Sequence, residues 1–312
     1  MELAQNWVLM AVLTPTFWAM GCVLDTCLIG GKVYRAPSDG AMVSCIFCLA
    51  PAVFALGLLT SSSSSSFNSQ EIPLTAIAAG VAYTIHLFFY FRTLYCFNDV
   101  SGAETFISLS VLFVPLFAWW LLDEVLPFHF YLAFFIAGIG VILQCLPVIR
   151  NVGISLLINM LITMIAVSLS MVLQSSALSS HGFTTATLFF NATCFTVAMI
   201  IFLCRKNIRR RMARLYRNFP MLIFFSELLG ILAILCSHRA THQGPSVSLV
   251  TLIECLLPLI IIAISMLLIS ANRIVPILSP DHLTTLAMQL RGTPMKIVAL
   301  VLLMSSLSIL SF

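Results

Sequence analysis

The chain has 312 residues, 61% of them hydrophobic and 8% charged, with a formal net charge of +4. A water-soluble domain carries about 25% charged residues, so the composition excludes a soluble domain and makes lipid the solvent for most of the surface. A membrane-crossing helix needs roughly 20 apolar residues, and ten such helices leave room only for short loops.

In chain order, apolar runs predict spans at 7–31, 40–60, 73–97, 101–122 and 128–148. The opening run lacks a basic leader and is expected to stay in the membrane rather than be cleaved. A run of six serines, Ser61 to Ser66, reads as a polar tether. The second half predicts spans at 154–178, 184–204, 219–237, 245–270 and 294–312. Residues 271–293, with Arg273, Pro276, Pro280, Asp281, His282 and Arg291, are too polar and too broken to span.

Two stretches set the organisation. Ser101 to Leu116 reads SGAETFISLSVLFVPL, and Gly244 to Leu259 reads GPSVSLVTLIECLLPL. With Pro115 on Pro258 the two align without a gap, and the same offset of 143 positions carries four spans of the first half onto the second. A five-span unit has an odd number of crossings, so a second copy lies in the membrane upside down. The expected fold is therefore an all-α membrane protein of ten transmembrane helices in two inverted five-helix repeats, 1–150 and 151–312, with 271–293 inserted in the second.

Most of the basic residues fall on one face, with Arg239 on the other. Lys32, Arg35, Arg150, the run from Arg205 to Arg217, Arg273 and Arg291 all fall on one side, which should be cytoplasmic with both termini outside. The run RKNIRRRMARLYR lies directly between two spans, and reads as a loop held by anionic headgroups rather than as a nucleic-acid patch.

Charges inside spans cost at least about 2.5 kcal/mol each at the bilayer centre and are retained for a purpose. Glu227 and Glu254 flank a hairpin expected to turn near Thr241, which puts both roughly 20 Å deep at 1.5 Å per residue. At one level they could share a proton, couple transport to protons, or hold a cationic substrate. Arg92 and Glu104 flank the turn near Asn98 in the same way, and are expected to form an ion pair or gate. His86, Tyr83 and Tyr90, with Trp18 on the first span, are candidates for an aromatic pocket around a flat or cationic solute.

Other patterns carry less. Cys45 and Cys48 form a C-x-x-C inside an apolar run and read as packing residues. His238 and His242 stand four apart, but no nearby residue completes a metal site, so no metal or cofactor is expected. Asn191-Ala-Thr193 matches a glycosylation acceptor but lies within a span. No HExxH, GxSxG or phosphate-loop spacing occurs, so the chain is not expected to be an enzyme.

The stretch from Ala103 to Gln144, AETFISLSVLFVPLFAWWLLDEVLPFHFYLAFFIAGIGVILQ, resembles the signature half of EamA-type carriers of the drug/metabolite transporter superfamily. The small-residue start, Pro115, Glu124 after the fourth span, and Gly138 and Gly140 carry the resemblance. It implies a central cavity between the repeats, with alternating access. The second half departs from the pattern, having no counterpart of the Glu124 turn.

The expected function is a secondary transporter of a small metabolite, an amino acid or a derivative such as S-adenosylmethionine. Protons are the candidate coupling ion, the cell (inner) membrane the expected location, and a monomer or homodimer the expected state. The alternative is a membrane-embedded lipid-modifying enzyme or scramblase using Glu227, Glu254 and His86.

Overall fold

A computed structural model describes residues 2–61, 72–97, 100–149, 153–274, 283–284, 286–287, 290 and 293–309. Helices account for nearly all of it: α1 (Glu2–Gly30), α2 (Pro37–Phe47), α3 (Leu49–Ser61), α4 (Leu74–Phe97), α5 (Val100–Ile107), α6 (Ser110–Leu122), α7 (Phe128–Ile149), α8 (Ile154–Cys204), α9 (Lys206–Asn218), α10 (Pro220–Gln243), α11 (Val247–Glu254), α12 (Leu257–Ile274) and α13 (Thr293–Ile309). Among the described residues eight helical segments are long and apolar enough to cross a membrane. Large apolar side chains, including Leu9, Val53, Phe54, Trp120, Phe135 and Leu203, are exposed on the outside of the bundle. An outward-facing apolar belt over helices with few charges is what a bilayer requires, and the chain is a membrane-embedded multi-pass protein.

The sixth and seventh expected spans form one helical run of 51 residues, α8, with no loop between them. A straight helix of that length would be about 75 Å long, far beyond a hydrocarbon core of about 30 Å. Gly182 resolves this. Its φ of 77° and ψ of 166° leave the helical region, a conformation that only glycine adopts readily. Ser170, twelve residues before it, donates to the carbonyl of Ala79, and the Cys194 thiol, twelve residues after it, donates to the carbonyl of Gly80. Both arms of α8 therefore meet adjacent residues of α4, so the run doubles back at Gly182.

Three apolar segments are broken in mid-course: α2–α3 at Cys48, α5–α6 at Ser108–Leu109, and α11–α12 at Cys255–Leu256. The last break lies just before Pro258, which offers no N–H to the carbonyl of Glu254. At the α5–α6 break the backbone tightens to i→i−3 bonds, from Leu109 to Phe106 and from Leu112 to Leu109. The Ser108 carbonyl there accepts from the Cys255 thiol at 3.4 Å, so these two broken segments touch at their breaks.

Packing pairs α4 with α8, α1 with α10, α7 with α13, and α6 with α11. At the α6–α7 turn Glu124 accepts from Ser246 and Ser248, both at 2.6 Å. Ser246 also caps α11, accepting from the N–H groups of Ser248 and Leu249. The basic run forms α9, whose Met212 and Leu215 are buried while Arg209, Arg210 and Arg217 are exposed. Arg211 reaches from it to Asp39 at the start of α2, at 2.7 Å. The expected interruption at 271–293 falls mostly outside the described residues, although α12 runs on to Ile274.

Candidate functional site

A cavity of about 130 Å³ lies in the middle of the bundle, lined from α1, α2, α4, α5, α6, α8, α10, α11 and α12. Seven of the residues singled out in the sequence line it: Trp18, Tyr83, His86, Tyr90, Glu104, Glu227 and Glu254. Asp25 joins them. The cavity thus carries four carboxyl groups, and among its described lining residues there is no lysine or arginine.

Each acid receives at least one hydrogen bond from another helix, and Glu104 also has the Tyr90 hydroxyl as a partner. Ser226 donates to Asp25 at 2.8 Å, Ser44 to Glu227 at 3.0 Å, the Cys22 thiol to Glu104 at 3.3 Å, and Ser237 to Glu254 at 2.9 Å. Three of the acids are grouped: Asp25 lies within electrostatic reach of both Glu104 and Glu227. Neutral hydroxyl and thiol donors are weak partners for a buried carboxylate, because taking the charge out of water costs several kcal/mol.

Part of the lining is aromatic. Tyr83, His86 and Tyr90 fall on one face of α4, since residues three and four apart are neighbours on a helix. Their rings stack in series, with centroids 5.5 Å apart from Tyr83 to His86 and 5.7 Å from His86 to Tyr90. The backbone holds the His86 ring, whose Nδ1 lies 3.3 Å from the carbonyl of Thr163. A π-stack that shares a cavity with carboxyl groups is a combination that binds organic cations.

Two expectations need correction. Glu227 and Glu254 share the cavity but not a level. Helix α10 continues to Gln243, so the hairpin turns at Gly244–Ser246 and not near Thr241. Ser237, the bonding partner of Glu254, lies ten residues beyond Glu227 on α10, which is about 15 Å along the axis. The acid grouped with Glu227 is Asp25. The Arg92–Glu104 pair does not form either. Arg92 is exposed, Glu104 faces the cavity, and the one ion pair among the described residues is Arg211–Asp39.

A smaller chamber of about 40 Å³ adjoins the cavity and shares Trp18, Tyr83, Val167, Met171 and Ile234 with it. Gln174, Ser237, His238 and Thr241 add polar groups to its wall. His238 pairs with Thr187 at 3.2 Å, whereas the Gln174 amide is buried with neither its nitrogen nor its oxygen partnered. His242 packs near the Phe183 ring, and no group of three His, Cys, Asp or Glu is placed to hold a metal among the described residues.

Asp25 and the donors Ser44, Ser226 and Ser237 were not singled out by the sequence. Asp25 could have been, as an acid inside an apolar run. The serines could not, because their partners lie up to 201 positions away.

No family model matches the chain, and no curated protein matches it. Among solved structures, one described only as "Crystal structure of protein" is similar, with a TM-score of 0.56 at 14% sequence identity. The similarity covers 96% of this chain and 99% of that one. At this identity the likeness concerns the fold alone, over essentially the whole length.

Proposed function

We propose that the protein is a secondary transporter that carries a small organic cation, such as an amine-bearing amino-acid derivative, by alternating access through the central cavity. The observation that carries this reading is the cavity's charge: four carboxyl groups, an aromatic stack and, among the described lining residues, no lysine or arginine. Charge balance there requires protons or a cationic guest, and the two exchange naturally in a proton-coupled carrier.

The architecture in this reading is ten crossings in two inverted five-helix halves. The packing supports it. Exchanging the halves turns the α1–α10 contact into that of α4 with the first arm of α8, and the α1–α12 contact into that of α6 with α8. The α6–α11 contact becomes that of α12 with α5, and the α7–α13 contact maps onto itself. The resemblance of residues 103–144 to EamA-type carriers points the same way. The basic face, with α9, is cytoplasmic, and the membrane is the cell membrane.

Size narrows the guest. A cavity of about 150 Å³ accepts one benzene ring, and this one is of similar volume. An amino-acid-sized amine fits, whereas S-adenosylmethionine would require the halves to part.

Uptake by proteoliposomes tests the proposal, with labelled cationic amines, zwitterionic amino acids and S-adenosylmethionine supplied against a pH gradient. Preferential, gradient-driven uptake of cations is expected. Flipping of labelled lipid with no solute uptake would move the assignment to a scramblase.

A further inference from the structure

On the face where α1 and α4 end and α9 lies, a wide pocket of about 760 Å³ is bordered by Lys32, Arg35, Tyr95, Arg214, Asn218 and Phe219. It contains three cationic side chains, and no carboxyl group is among its described lining residues. Arg211, one turn earlier on α9, is neutralised by Asp39 and bonded to Ser38. Arg214 is not: its Nη2 is buried with no hydrogen-bond partner. Leaving a buried guanidinium N–H unpaired is costly, and Arg214 lines the pocket with no carboxylate among the described lining residues to offset its charge, which a bound anion would do.

The loop that presents the other two cations is rigidly held. The N–H groups of Val33 and Tyr34 both reach the carbonyl of Leu28, the Arg35 N–H donates to Asp39, and the Arg35 carbonyl accepts from the Tyr95 hydroxyl. Lys32 itself sits at φ 55°, the left-handed position after a helix that glycine normally fills. Gly30 and Gly31 immediately precede it, yet the lysine occupies the strained site. Strain of this kind accompanies a binding role when the surroundings fix it.

We propose that this pocket binds a phosphate group, that of a phosphorylated anionic lipid headgroup. Guanidinium forks match phosphate oxygens in pairs, and lysine adds a point charge. The source is a lipid rather than a soluble phosphate because the wall also presents Ile29, Val33 and Phe219, beside the ends of apolar helices where headgroups lie. The sequence had spread headgroup contact evenly over the whole basic run. The structure selects one arginine of that run and adds two cations from the α1–α2 turn. The site is independent of the transport reading.

The test is binding of a short-chain bisphosphorylated phosphoinositide to the full-length protein in neutral-lipid nanodiscs. Replacing Lys32, Arg35 and Arg214 with alanine should weaken binding at least about tenfold. Replacing the exposed Lys206, Arg210 and Arg217 removes the same charge outside the pocket, and should weaken it less than about twofold. Equal losses in the two triple variants would overturn the site in favour of diffuse attraction. Inorganic phosphate that competes as strongly as the lipid would overturn the lipid source. Should the pocket triple variant not insert, Arg214→Gln alone decides: a loss of about fivefold supports the site, and unchanged binding contradicts it.

Discussion

Ser237 donates a hydrogen bond to Glu254 at 2.9 Å, and this bond sets the depth of Glu254 in the bundle. It places that acid toward the Gly244 end of α10, apart from the group of Asp25, Glu104 and Glu227. The central cavity therefore has one acid at one level and three at another. A proton and a cationic guest can be held at different heights in such an arrangement.

If Glu254 is the proton site, Glu254→Gln should leave the fold intact, since an amide still accepts from Ser237. Uptake should lose its response to a pH gradient while exchange of substrate for substrate persists. Proteoliposome uptake and counterflow, measured on the same preparation, check both halves of this expectation.

Asp39 holds the start of α2 together. It is fully buried, accepts from the N–H groups of Arg35 and Ala36, and pairs with Arg211. Asp39→Ala strands Arg211 and uncaps the helix. Removing one partner of a buried pair costs about 3–5 kcal/mol, and about 3 is expected here because Arg211 is 27% exposed. Thermal unfolding in detergent should show a large fall in Tm, with a smaller one for Asp39→Asn.

Two glycines should respond oppositely to alanine. A Cβ on Gly80 would sit 2.6 Å from the Phe190 carbonyl oxygen and 2.9 Å from Thr193 Cβ, forcing α4 off α8. Overpacking of this kind costs about 1–3 kcal/mol. At Gly230 nothing lies within 4 Å, and alanine should stabilise the helix by up to about 1 kcal/mol. Paired melting curves distinguish the two.

Gln174→Leu should raise stability by about 1 kcal/mol, because a buried amide with no partner carries a desolvation cost of about 1–3 kcal/mol. The same variant should slow uptake, since the chamber it lines adjoins Trp18 and Tyr83 of the main cavity. A variant that is both more stable and fully active would remove the chamber from the transport path.

The apolar runs made most helix positions legible. The expected 73–97 and 101–122 correspond to α4 at 74–97 and to α5–α6 at 100–122. The end of α10 was misread because Ser237-His-Arg-Ala-Thr-His looks like a loop yet remains helical, which shifted the hairpin and the depth of Glu254. Arg92 and Glu104 failed for a different reason. Counting residues from a turn gives depth along a helix but not the direction a side chain faces, and these two face apart. The aromatic stack was legible because 83, 86 and 90 share a face by spacing alone. The serine donors depend on which helices touch, which a single sequence does not contain.

Accessibility of the cavity from both faces tests the account most directly. Gly230 lines it and has room for a side chain, so Gly230→Cys can be placed in a background where the other cavity cysteines, Cys22, Cys48 and Cys255, are alanine. A membrane-impermeant thiol reagent should modify this cysteine from either side of the membrane, more slowly when a transported cation is present. Reaction from one side only, unaffected by any cation, would contradict alternating access.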